Sequence, residues 1–162
     1  MRYERKYEFN IGYEKVIKAF LLSKRFKKVF PDRIVNSLYY DTFDKRLFFE
    51  SIDGLSNKFK IRVRFYNDIN QLDTFEIKRK FSDLNNKDYP KFSESLLPLE
   101  FFNNDYFSKD LKLPSSFNNI YYPSVFVSYK RSYYLSYDKK IRITLDYFLD
   151  FYRARKDQKR IF

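Results

Sequence analysis

The stretch at 58–66, KFKIRVRFY, constrains this chain most, because it sets a cation at every second position with an apolar residue between. Successive side chains of a strand point to opposite faces, so Lys58, Lys60, Arg62 and Arg64 share one face while Phe59, Ile61, Val63 and Phe65 share the other. A period of 2 excludes a helix, which would scatter the cations around its circumference. The apolar face belongs in a core. The other face holds four like charges about 6.6 to 7 Å apart, which repel one another unless carboxylates or an anion compensate.

The layout recurs. Glu76, Lys78 and Lys80 oppose Phe75 and Ile77; Arg142, Thr144 and Asp146 oppose Ile141, Ile143 and Leu145; and Arg2, Glu4, Lys6 and Glu8 oppose Tyr3, Tyr7 and Phe9, with Arg5 out of step. Strand-like alternation covers residues 2–9, 35–41, 58–66, 74–80, 125–131 and 141–145. Two architectures carry such a pattern. One is an antiparallel sheet with one face in water. The other is a sheet closed into a barrel whose charges line a hydrated tunnel; taking ions from bulk water costs several kcal/mol each unless they are paired or liganded.

Between the strands, Tyr13, Val16, Ile17, Phe20 and Leu21 fall at i, i+3, i+4, i+7 and i+8, which predicts an early amphipathic helix within 13–29, stopped by Pro31 and Asp32. Asp53-Gly54 and 67–70 predict turns. Residues 84–123, broken by Asn pairs and prolines, predict a loop excursion with short helices around 99–111. The expected fold class is α+β: one domain over 1–150, then a basic tail over 151–162. Asp41 and Asp44 read as turn or cap residues, and the Tyr39-Tyr40, Tyr121-Tyr122 and Tyr133-Tyr134 pairs as core and rim packing.

With no Cys and no His, the chain offers no thiolate or imidazole for catalysis or metal binding. Its chemistry rests on Lys, Arg, Tyr, carboxylates or a bound metal. A formal charge of +12 over 162 residues draws anions. No apolar run reaches the roughly 18 residues that a membrane-crossing helix needs, and the N-terminus lacks the apolar centre of a signal peptide, so the expected setting is soluble and cytoplasmic.

Phosphate fits the cations, since Arg offers a planar fork and Lys a compact charge with three donors. Glu4, Glu76 and Asp146 are candidate ligands for Mg2+ or Mn2+, hard cations that prefer oxygen and bridge phosphate oxygens. Glu–Lys cross-strand pairing would explain the same mixture of signs. Single-stranded nucleic acid is disfavoured, because the aromatics at 58–66 point away from the cations and cannot stack bases on the same surface.

The order of these motifs resembles the VTC-type domain of the triphosphate tunnel metalloenzyme (CYTH-like) superfamily. The resemblance runs through RYERKY at 2–7, VNSLYYDT at 35–42, Asp53-Gly54 leading into KIRVRFY at 60–66, FEIKRK at 75–80, YKR at 129–131 and RITLD at 142–146. It implies an antiparallel β tunnel barrel that binds ATP, triphosphate or inorganic polyphosphate with a divalent metal, and a polyphosphate polymerase type of phosphoryl transfer. By position it implies phosphate contacts from Arg62, Arg64, Lys78, Arg131 and Arg142 in the reacting region, with Lys6, Lys60 and Lys80 binding further along the substrate, and metal-side carboxylates at Glu76, Glu4 and Asp146. The broader superfamily opens Glu-x-Glu-x-Lys, where this chain has Arg2-x-Glu4-x-Lys6, which favours transfer or binding over hydrolysis. Residues 147–162 do not match the further Glu-x-Lys strand and C-terminal helix that the resemblance implies, so the barrel is expected to be incomplete. The alternatives are a non-catalytic polyphosphate or inositol-phosphate binding module, or a triphosphatase.

Overall fold

The computed structural model describes residues 4–10, 12–67, 72–81, 84–88 and 121–153, with side chains throughout except at 72–77, 79–81 and 84–88. Its elements run α1 (Glu14–Ser23), β1 (Lys27–Asp41), α2 (Arg46–Ile52), β2 (Asn57–Tyr66), β3 (Leu72–Phe81), β4 (Leu84–Asp88), β5 (Tyr122–Leu135) and β6 (Arg142–Arg153). The strands hydrogen-bond in the open order β4, β3, β2, β1, β5, β6. The α+β class holds, while the described strands form no closed barrel.

Contacts divide the chain into two compact units, one of residues 1–33 and 130–147 and one of residues 34–129 and 148–162. In the second unit, β1, β2, β3 and β4 are antiparallel neighbours. Leu38 pairs with Val63 and Tyr40 with Ile61 across β1 and β2, and all four are buried. Opposed residues of an antiparallel pair share a face. Phe65 stacks on Phe126 at 6.1 Å between ring centroids, and Phe59 meets the buried Tyr121 edge-on at 6.4 Å. Each fully buried side chain of this size stabilises the fold by about 1.5 to 3 kcal/mol.

β1 departs from the half-solvated pattern. Val35, Asn36, Ser37, Leu38, Tyr40 and Asp41 are all buried and Tyr39 is half-buried, so both faces of this part of the strand are covered.

The early helix is shorter than the sequence predicts, and Pro31 and Asp32 lie within β1 rather than at the helix end. Arg25 ends the helix by taking a left-handed conformation, φ 61°. The Phe26 N–H then donates to the Leu21 carbonyl and the Arg25 N–H to the Leu22 carbonyl, the two bonds of a Schellman cap. No glycine marks it, so the sequence carried no signal.

The other differences concern single elements. Residues 4–10 take no regular structure; Tyr7 and Phe9 are exposed, and among the described residues no strand of the sheet pairs with this segment. α2 fills the gap before Asp53-Gly54. Asp41, at the end of β1, accepts from the N–H groups of Leu47 and Phe48, and Thr42 Oγ1 from that of Arg46, satisfying three of the four donors that a helix N-terminus leaves open. Asp41 is thus a helix cap, as its position suggested. Gly54 follows α2 with φ +70°, so the expected turn is a helix C-terminus. The expected excursion begins with β4; the short helices expected around 99–111 lie outside the described residues, as do 154–162 of the tail. β6 extends from the expected 141–145 to Arg153.

Candidate functional site

In the second unit the β2 cations come into register with those of β3. Lys60 stands opposite Lys78, Lys58 opposite Lys80, Arg62 opposite Glu76 and Arg64 opposite Thr74. On the other side of β3, Lys78 pairs with Lys87 of β4. Like charges directly opposite one another are destabilising, and this register stacks three Lys positions across three strands. For Glu76 and Lys80 the structure defines the backbone position alone.

The face is sheltered rather than awash. Arg62, Arg64 and Lys78 are half-buried and only Lys60 is exposed. On β1 the same face carries Ser37, opposite Arg64, and Tyr39, opposite Arg62. The Arg62 guanidinium donates to Tyr39 Oη at 3.1 Å and lies 5.8 Å from the ring centroid. Ser37 is fully buried, and its Oγ has no hydrogen-bond partner among the described residues. Phe59 and Phe65 of β2 sit behind the cations, but Tyr66, in phase with Arg62 and Arg64, shares the cationic face, so the aromatics at 58–66 do not all point away as expected. Tyr39 shares that face too, a contribution from β1 that strand parity within β2 could not reveal. The alternation of Ser37, Tyr39 and Asp41 was the available signal. It needed the β1–β2 register to interpret it. Lys58 turns elsewhere, its Nζ 3.5 Å from the Ser51 carbonyl near the end of α2.

The first unit treats its candidate residues differently. Arg131 and Asp146 form a bidentate ion pair, Nε to Oδ1 at 2.6 Å and Nη2 to Oδ2 at 2.7 Å. Each satisfies charge on the other, so Asp146 is engaged by a cation rather than presented to one. Arg142, at the start of β6, is exposed, as are Glu4 and Lys6 in the irregular segment before α1. Among the described residues no three carboxylates gather in a group able to hold a metal. Glu4 and Asp146 belong to no such group, and the Glu76 side chain lies outside the described residues.

A polar cluster that the sequence did not single out lies in this unit. Asp32 Oδ1 accepts from Ser132 Oγ at 2.7 Å and from Lys28 Nζ at 2.8 Å, and Oδ2 accepts from Tyr147 Oη at 3.1 Å. Lys18 Nζ sits 4.0 Å from the Tyr147 ring centroid. Burial pushes the Asp32 carboxyl up, but the bonds from Lys28, Ser132 and Tyr147 and the charge of Lys28 outweigh it and hold it down to about 2. Ser132 is fully buried while Asp32 is half-buried and Lys28 exposed, so the cluster braces the unit from its core to its surface.

Against family profiles, the chain matches the VTC domain over residues 1–161. The chain belongs to the VTC-domain family. Comparison with curated proteins finds no match. For this VTC domain the match spans every motif from 2–7 to 142–146, so the cationic strand at 58–66 is read within a family whose name the motif order already suggested. No helix among the described residues is long and apolar enough to cross a membrane.

Proposed function

We propose that this VTC domain grips a linear phosphate chain, as ATP, triphosphate or inorganic polyphosphate, along the face that carries Lys60, Arg62, Arg64 and Lys78. The observation that carries the reading is the double burial of 35–41 against β2, which leaves Arg62 and Arg64 half-buried on a covered face that continues to Lys60, itself in register with the half-buried Lys78. Cations held there meet an anion at lower dielectric than water, where each charge-assisted bond is stronger. The register of Lys60, Lys78 and Lys87 lines up three Lys positions across which the charges of a phosphate chain could lie. Tyr39 orients the Arg62 fork, so little side-chain freedom is lost on binding.

The finer reading is phosphoryl transfer of polyphosphate polymerase type within a closed tunnel, with Lys6, Lys80, Arg131 and Arg142 as further phosphate contacts. The terminal phosphoryl of ATP would pass to the end oxygen of a phosphate chain, the bond to ADP breaking as the new P–O–P link forms. No protein nucleophile is needed; the cations hold the groups in line and take up the charge on the transferring oxygens. Mg2+ or Mn2+ enters with the nucleotide as part of the substrate. A non-catalytic binding module is favoured by one observation, the mutual pairing of Arg131 and Asp146.

The test is calorimetric titration of tripolyphosphate into the full chain and its Arg62→Ala and Arg64→Ala variants. Each substitution is expected to cost about 1.5 to 3 kcal/mol of binding. Unchanged affinity in both overturns the grip. Incubation with ATP and Mn2+, read on a polyphosphate-staining gel, then separates the two readings: chain growth selects transfer, and tight binding without product selects the module.

A further inference from the structure

The helix pattern read from the sequence is split by the fold. Of the five apolar positions of that pattern, Leu21 is buried and Ile17 half-buried, while Tyr13, Val16 and Phe20 remain 52%, 63% and 57% exposed, as does Leu22, outside the pattern, at 59%. Tyr13, Val16 and Phe20 lie at i, i+3 and i+7 on one side of the helix, away from the side that Leu21 packs. Lys24 continues the same side, its Nζ 5.7 Å from the Phe20 ring centroid. Lys15 at the N-terminal end of the helix, and Lys24 and Arg25 at its C-terminal end, are all exposed.

The charge is distributed to match. The unit that contains α1, residues 1–33 and 130–147, holds 15 Lys and Arg against 6 Asp and Glu, a net +9 of the whole chain's +12. Exposed apolar side chains on a helix with cations at both its ends suit the boundary of an anionic bilayer, where the apolar side chains enter the acyl edge and the cations meet the headgroups. A second copy would bring +9 against +9. Nucleic acid would use the cations but has no place for Val16.

We propose that α1 is a membrane-surface contact, seating Tyr13, Val16 and Phe20 in the headgroup boundary of an anionic lipid bilayer with Lys15, Lys24 and Arg25 on the phosphates. The contact is distinct from the phosphate grip of β2 and does not depend on it.

Co-sedimentation of the full chain with vesicles of 30% phosphatidylserine in phosphatidylcholine, against phosphatidylcholine alone, tests this at 100 mM salt. The expected result is binding to the anionic vesicles at least tenfold tighter than to the neutral ones, and a loss of at least tenfold in the Val16→Asp, Phe20→Asp double variant. In parallel, Phe20→Trp should shift its fluorescence to the blue on adding anionic vesicles, a readout that holds if the double variant fails to fold. An unshifted spectrum, or equal binding by the folded double variant and the parent, overturns the proposal. So does binding abolished by saturating tripolyphosphate but insensitive to the double variant, which assigns the lipid to the β2 grip. A mass that rises with concentration and falls in the double variant, without vesicle binding, assigns the face to self-association and also overturns it.

Discussion

Replacing Asp32 with Asn tests how the first unit is braced, because the substitution keeps the shape and removes the charge that Lys28, Ser132 and Tyr147 converge on. The carboxyl is held at about 2 in the folded chain against an ordinary 3.8. At about 1.36 kcal/mol per pKa unit, that difference amounts to a ceiling of about 2.4 kcal/mol. The Asp32 side chain is 19% exposed and Lys28 44% exposed, so water screens part of the pairing and about 1 to 2 kcal/mol is the working figure. A depressed carboxyl contributes stability that is fully present above its unfolded value and is lost as pH falls through the folded value. The window is therefore pH 4 down to 2. Urea unfolding of parent and Asp32→Asn at pH 7, 5, 4, 3 and 2.5 reads the effect. The gap between the two should stay constant from pH 7 to 5 and close progressively below 4. A gap that is the same at pH 2.5 as at pH 7 would refute the electrostatic account and leave only the geometry of the amide.

Three further outcomes follow from named contacts. Asp41→Ala should destabilise the chain by about 1 to 3 kcal/mol, since two N–H groups of α2 lose their acceptor; a loss under a few tenths in urea unfolding would mean that water replaces the carboxylate without cost. Phe65→Ala should cost about 3 to 5 kcal/mol, because the ring is 1% exposed and stacked on Phe126, and a thermal midpoint within 2 °C of the parent would contradict the core placed there. In a double-mutant cycle of Arg131→Met and Asp146→Asn, the coupling should be about 0.5 to 3 kcal/mol. Additive losses would show that the pair does not form in solution, and would return both residues to the list of free phosphate and metal contacts.

The alternation at 58–66 determined from sequence alone that β2 is a strand, that Ile61, Val63 and Phe65 enter a core and that Lys60, Arg62 and Arg64 share the opposite face, because a period of 2 depends only on local backbone geometry. Motif order likewise carried the family. Neighbours were another matter. That Tyr39 braces Arg62, that Lys60 faces Lys78, and that Asp146 is taken by Arg131 follow from strand register and hydrogen bonding between segments up to 23 residues apart, which no local pattern encodes. The start of β1 at Lys27 was hidden because Arg25 caps α1 without a glycine, and residues 4–10 alternate without forming a strand because alternation states a preference that only a partner can satisfy. Periodicity decided which residues share a face; tertiary pairing decided which faces are covered, and at β1 it covered both.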